Sequence, residues 1–111
     1  MRKREYLAQL ELMVLLAVVR LGTEAYGVRI SKCIEEASER EVFLPSVYVA
    51  LERLERKGLI TSRLGEPTPQ RGGRARTYFR PTAAGLKEGR AACNTLDRLS
   101  AGPTGLKGSL A

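Results

Sequence analysis

The chain has no histidine and no tryptophan, only two cysteines, and just 5% aromatic residues among 111 positions. Without histidine there is no imidazole to act as a base or to complete a cysteine-type metal site. Ser46 and the two thiols therefore lack an evident activating group, and neither a phosphate-loop glycine pattern nor a promising acidic pair is present. Catalysis is not expected. Two cysteines, Cys33 and Cys93, are too few for a disulfide scaffold and read as buried, reduced thiols rather than a redox switch. Long apolar runs are also missing. Leu12–Val19, between Glu11 and Arg20, is too short to span a bilayer, and no cleavable signal peptide precedes it, so a cytoplasmic location is the default expectation.

Acidic charge is in short supply as well. A net charge of +7 favours a polyanionic partner, and the excess is concentrated. Between Arg63 and Arg80 there are five arginines (Arg63, Arg71, Arg74, Arg76 and Arg80) against Glu66, a local charge of +4. Around them the residues alternate, Ile60 to Leu64 on one side and Arg74 to Arg80 on the other. Pro67, Pro69, Gly72 and Gly73 mark the connection, which predicts a two-stranded hairpin with a cationic tip.

Directly before this hairpin, Val47, Leu51, Leu54 and Gly58 follow helical spacing. Pro45 suits the first helical position, and Gly58 suits a left-handed residue just past the end, with Leu59 folding back on Leu54. The opposite face holds Ser46, Tyr48, Val49, Glu52, Arg53 and Arg56. A short helix followed by a basic ribbon is the output half of a winged helix-turn-helix, in which the helix enters a major groove. Arg53 is then a candidate reader of a purine edge and Val49 of a thymine methyl, while Glu52 and Arg56 pair with each other. The wing residues Arg71, Gly72, Gly73, Arg74 and Arg76 would meet the backbone or the minor groove. The free N–H groups at the helix start, around Pro45, would help anchor phosphate. A preformed helix of this kind favours B-form DNA over RNA.

Upstream, a helix is expected from about Glu5 to Arg20, after a basic arm of Arg2, Lys3 and Arg4. It is apolar on every side, which asks for more cover than three helices supply, and a second subunit would provide it. Thr23 is an N-cap candidate for a second helix, Glu24 to Glu39, with Tyr26, Ile30, Cys33, Ile34 and Ala37 as its stripe. The pattern places Tyr26 in the core, with contact to phosphate as the alternative. Val42, Phe43 and Leu44 are β-type residues that would form a third strand beside the wing. After Thr82, a last helix over Ala83–Leu99 carries Leu86, Gly89, Cys93 and Leu96 as a two-heptad seam. The expected dimer interface combines Leu12, Leu15, Leu16 and Val19 with that seam. The organisation is thus mainly α with a small β-hairpin: a winged helix-turn-helix over 1–81, a C-terminal dimerisation helix over 82–100 and a tail over 101–111. No internal repeat is evident.

The stretches Leu21-Gly22-Thr23-Glu24-Ala25-Tyr26-Gly27, Leu44-Pro45-Ser46-Val47-Tyr48 and Lys57-Gly58-Leu59-Ile60 stand in this order with Arg71-Gly72-Gly73-Arg74, Tyr78 and Thr82. Together they resemble the PadR family of bacterial winged-helix transcriptional regulators over about residues 7–88. The resemblance implies a homodimer, usually a repressor, on a two-fold symmetric operator, with the last helix packed on the partner's first. It also implies that Ser46 and Tyr48 lie on DNA and that Tyr26 sits near a phosphate. The short last helix matches the compact branch of the family. Members that bind flat aromatic drugs use an interface tryptophan, which is missing here, so a small-molecule effector is left without support. No cofactor is expected. The competing expectation is a winged-helix protein-interaction module without specific DNA binding, for which an acidic or apolar recognition face would be required.

Overall fold

The computed structural model describes residues 7–67, 69, 72 and 75–106. Its elements are α1 (Gln9–Leu21), a 3-10 turn (Gly22–Glu24), α2 (Gly27–Ser38), α3 (Leu44–Arg56), β1 (Ile60–Leu64), β2 (Thr77–Pro81) and α4 (Ala83–Ser100). The two strands pair antiparallel from Ile60 opposite Pro81 to Leu64 opposite Thr77. This is a winged-helix arrangement, α+β, with three helices ahead of the wing and one after it. Among the described residues no helix is long and apolar enough to cross a membrane.

The core is built where the apolar stripes meet. Val14, Leu15 and Val18 of α1, Ile30 of α2, and Val47, Leu51 and Leu54 of α3 are all sealed from solvent, and Ile60 and Phe79 close the base of the wing. Burial of such side chains contributes about 1.5–3 kcal/mol each. On α1 the fold covers Val14, Leu15, Ala17 and Val18 but leaves Leu16 and Val19 exposed at 37% and 42%. The helix that is apolar all round in sequence is therefore covered on one side only.

The end of α3 matches its sequence signals. Gly58 takes φ +76°, its N–H donates to Glu55 O at 3.0 Å, and the Leu59 N–H donates to Leu54 O at 3.0 Å. These two bonds satisfy carbonyls that the helix would otherwise leave open, and they turn the chain into β1. At the start of α4 the Thr82 hydroxyl oxygen accepts from the Gly85 N–H at 3.0 Å, as its capping role predicts.

Three expectations are corrected. The first helix begins at Gln9 rather than Glu5, and the basic arm lies outside the described residues. The second helix begins at Gly27 rather than Glu24, and Thr23 sits in the 3-10 turn without capping it. The reason is tertiary: Ala25 O accepts from the Phe79 N–H at 2.8 Å and Tyr26 bridges Tyr78, so these residues are held extended against β2. That pairing also replaces the expected third strand. Val42 instead donates its N–H to the Glu35 carboxylate at 2.9 Å, Phe43 is 72% exposed, and Leu44 already belongs to α3.

Candidate nucleic-acid interface

The outer face of α3 presents Tyr48 and Val49, about half exposed, beside Ser46, Glu52, Arg53 and Arg56. Pro45 is exposed at the second helical position. The start of α3 offers fewer free N–H groups than the sequence suggests. Proline has no N–H, and the N–H groups of Ser46 and Val47 both reach the Phe43 carbonyl, at 2.9 and 3.4 Å.

Tyr48 instead crosses to the start of α2. A Cβ on Gly27 would collide with the Tyr48 hydroxyl and ring, so glycine is what lets the phenol lie against that helix end. The first N–H groups of α2 and the Tyr48 hydroxyl thus come together at one place, an arrangement suited to an anionic oxygen. Tyr26, the residue just before α2, stands beside them.

The wing is pinned to the same place by aromatic contacts. Tyr26 and Tyr78 meet edge to face, with ring centroids 5.7 Å apart at 77°. The Arg76 guanidinium lies 3.8 Å from the Tyr26 centroid and Arg63 lies 4.9 Å from that of Tyr78. Such cation–π and edge-to-face contacts contribute about 0.5–1.5 kcal/mol each. Gly65 makes room for the Tyr78 ring, whose Cε2 would be 2.5 Å from a Cβ at that position. The Ser62 hydroxyl donates to the Glu55 carboxylate at 2.8 Å, tying β1 to α3. Because a guanidinium above a ring face keeps its N–H groups in its own plane, directed past the ring edge, Arg76 can still donate outward. Gly72 is exposed at φ +62°, a backbone that favours glycine at the wing tip. Arg71, Gly73 and Arg74 lie outside the described residues.

One feature of the site was not anticipated. Glu11, on α1, is 5% exposed and accepts from Lys57 Nζ at 2.7 Å, and its other oxygen lies 3.8 Å from Arg53 Nη1. Glu52 and Arg56 pair at 2.8 Å as their spacing suggests. A signal for Glu11 does exist in the sequence. It stands three, four and seven residues before Val14, Leu15 and Val18, so an acid occupies the core stripe itself.

The residues expected at a dimer interface separate into three groups. Leu15 is fully buried in the core of its own chain, and Gly89 is buried with its Cα facing Leu15 and Leu16 of the same chain. Leu12, Leu86 and Cys93 are half-buried, while Leu16, Val19 and Leu96 are exposed, as is Leu99 at 75%. Leu16 and Val19 border a groove of about 650 Å³ between α1 and α2, which also involves Met13, Cys33 and Ala37. Both cysteines are free and half-buried rather than fully buried.

Comparison with known proteins agrees with this architecture. The model of the transcriptional regulator PadR-like family matches residues 15–91. A transcriptional regulator from Clostridium thermocellum is 30% identical with a TM-score of 0.67, the match covering 80% of this chain and 81% of that one. A PadR family transcriptional regulator from Eggerthella lenta is 27% identical with a TM-score of 0.62, covering 78% and 73%. A PadR-like transcriptional regulator from Bacillus cereus shares the fold at 24% identity and a TM-score of 0.68, covering 82% and 84%. A comparison with curated proteins found no match. With the family model spanning the second half of α1, α2, α3, the wing and the first half of α4, the chain belongs to the PadR-like family of transcriptional regulators.

Proposed function

We propose that the protein is a sequence-specific DNA-binding repressor that acts as a homodimer on a two-fold symmetric operator in the cytoplasm. The observation that carries this reading is the juxtaposition of α3 with a wing held by the Tyr26–Tyr78 contact and its two arginines. In this reading α3 enters the major groove, with Ser46, Val49 and Arg53 toward the bases. The start of α2, the Tyr48 hydroxyl and Arg76 hold one phosphate, and Arg71 and Arg74 with the glycines between them follow the backbone or minor groove. The region 1–81 is the DNA-binding unit, 82–100 the dimerisation helix and 101–111 a tail. No catalytic activity is assigned.

The dimer rests on the apolar side chains left over once the chain has folded. Leu16 and Val19 on α1, with Leu96 and Leu99 on α4, are unsatisfied within one copy, and mutual burial across a two-fold axis would cover them. Two recognition helices would then reach successive major grooves about one helical turn, ~34 Å, apart. Leu15 and Gly89 support this interface from beneath instead of forming it.

The test is fluorescence anisotropy with a duplex that the protein itself selects from a random pool and with a scrambled duplex, across a salt series. Specific binding that outlasts the scrambled duplex as salt rises is the expected result. Equal, steeply salt-dependent binding to both would refute sequence specificity. Binding to neither at low salt would refute the DNA reading and favour a protein-interaction module.

A further inference from the structure

The charges around α3 are more balanced than its sequence suggests. Three cations lie toward its C-terminal end, and each has a carboxylate within ion-pair distance: Arg56 with Glu52 at 2.8 Å, Lys57 with Glu11 at 2.7 Å, and Arg53 with Glu11 at 3.8 Å. The recognition helix thus offers little uncompensated positive charge, while the wing supplies the attraction to phosphate. The two contacts of Glu11 also differ in kind. Lys57 is close and its side chain is 35% exposed, so it satisfies the buried carboxylate by itself. Arg53 is distant and its side chain is 59% exposed, so its contact is weak and can be released without stranding a charge.

We propose that Glu11 is a specificity-determining residue: anchored by Lys57, its carboxylate holds Arg53 by Nη1, away from phosphates, and leaves the rest of the guanidinium exposed for a base edge that accepts two hydrogen bonds. This rests on the DNA-binding reading above and assigns Glu11 a positioning role within it. A phosphate offers Arg53 an exchange of one anion for another, with little gain. A guanine edge adds paired acceptors at fixed geometry, which a carboxylate at 3.8 Å does not provide. Because the base contact keeps the Glu11 pairing and a phosphate contact breaks it, Glu11 penalises the non-specific contact alone. Lying on α1, five residues before Leu16, it also connects the proposed subunit interface with the reading head.

The experiment compares wild type, Glu11→Gln and Glu11→Asp on the selected and scrambled duplexes from 50 to 200 mM salt. Freeing Arg53 adds about one phosphate contact, so E11Q should steepen the log–log slope on the scrambled duplex by about 0.9, equivalent to ~3.5-fold over that fourfold salt range. The ratio of specific to non-specific affinity should fall by roughly two- to fivefold. E11D should restore both, and E11Q should change the slope less in an Arg53→Gln background than in a Lys57→Gln background. A purely structural role would lower the melting temperature and both affinities together without altering slope or ratio, and that result would overturn the proposal. NMR of the Arg53 guanidinium in the wild-type protein tests the same point without mutation. Its signal should move on the selected duplex and stay in place on the scrambled one, and equal movement on both would sink the idea. Wild-type protein that binds neither duplex would refute the DNA reading as well as the role of Glu11, whereas normal wild-type binding with an unchanged E11Q slope would refute that role alone.

Discussion

Two glycines four residues apart on α4 should respond to the same substitution with opposite signs. By helix propensity alone, alanine is better than glycine by about 1 kcal/mol at either position. At Gly85, however, the added Cβ would fall onto the carbonyl oxygen of Leu59, a backbone atom that cannot swing away. To admit it, the first turn of α4 must move off β1. That movement strains the Thr82 N–H bond to Leu59 O at 3.0 Å and the Thr82 hydroxyl bond to Gly58 O at 2.7 Å. Overpacking costs about 1–3 kcal/mol and each weakened hydrogen bond about 1 kcal/mol, so Gly85→Ala should destabilise by about 2–4 kcal/mol after the propensity gain. At Gly89 the new Cβ would lie 3.7 Å from Leu15 Cδ2 and Leu16 Cδ2, an ordinary contact. Gly89→Ala should therefore stabilise by about 0.5–1 kcal/mol. Thermal unfolding followed by circular dichroism, at one fixed protein concentration, should show a melting temperature lower by roughly 8–15 °C for G85A and higher by a few degrees for G89A. A G85A protein as stable as wild type would refute the close approach of α4 to Leu59. Equal losses in both variants would show that α4 has no room anywhere along this face.

Further outcomes follow from single contacts. Thr82→Ala removes the cap on Gly85 and the bond to Gly58 O, and should lower the urea midpoint by the equivalent of about 1–2 kcal/mol without changing the m-value, with Thr82→Ser close to wild type. Tyr48→Phe keeps the ring over Gly27 but loses the hydroxyl; affinity for the selected duplex should fall by about 1 kcal/mol, roughly fivefold, while stability changes by less than about 0.5 kcal/mol. An unchanged affinity would remove the hydroxyl from the phosphate site. Leu16→Asp puts a charge on the uncovered side of α1 and should convert the proposed dimer to a monomer in light-scattering measurements; a surviving dimer at micromolar concentration would place the interface elsewhere.

Much of this protein is determined locally, and those parts are legible from residue order. The Val47–Leu51–Leu54 stripe, the glycine after α3, the threonine before α4 and the alternation on either side of the wing each act within one or two turns of chain. Spacing and backbone preference decide them wherever the segment finally packs. The family resemblance likewise depends on short motifs in order.

The tertiary structure decided what depends on partners distant in sequence. Ala25 and Tyr26 have helical neighbours on both sides, yet β2 draws their backbone into an extended bridge and delays α2 to Gly27. Leu15 and Leu16 are chemically alike and adjacent, but one is sealed inside the core while the other faces out, because rotation by 100° per residue on α1 meets α3 on one side only. Glu11 pairs with Lys57 across 46 positions, and Gly85 is shaped by Leu59. Sequence by itself determined the α3 stripe and its glycine stop, the wing and the Thr82 cap, since those are short-range preferences of the backbone. Only the packed chain decided which apolar residues remain for a partner and which cations remain for DNA, since burial and charge pairing depend on what arrives from elsewhere in the chain.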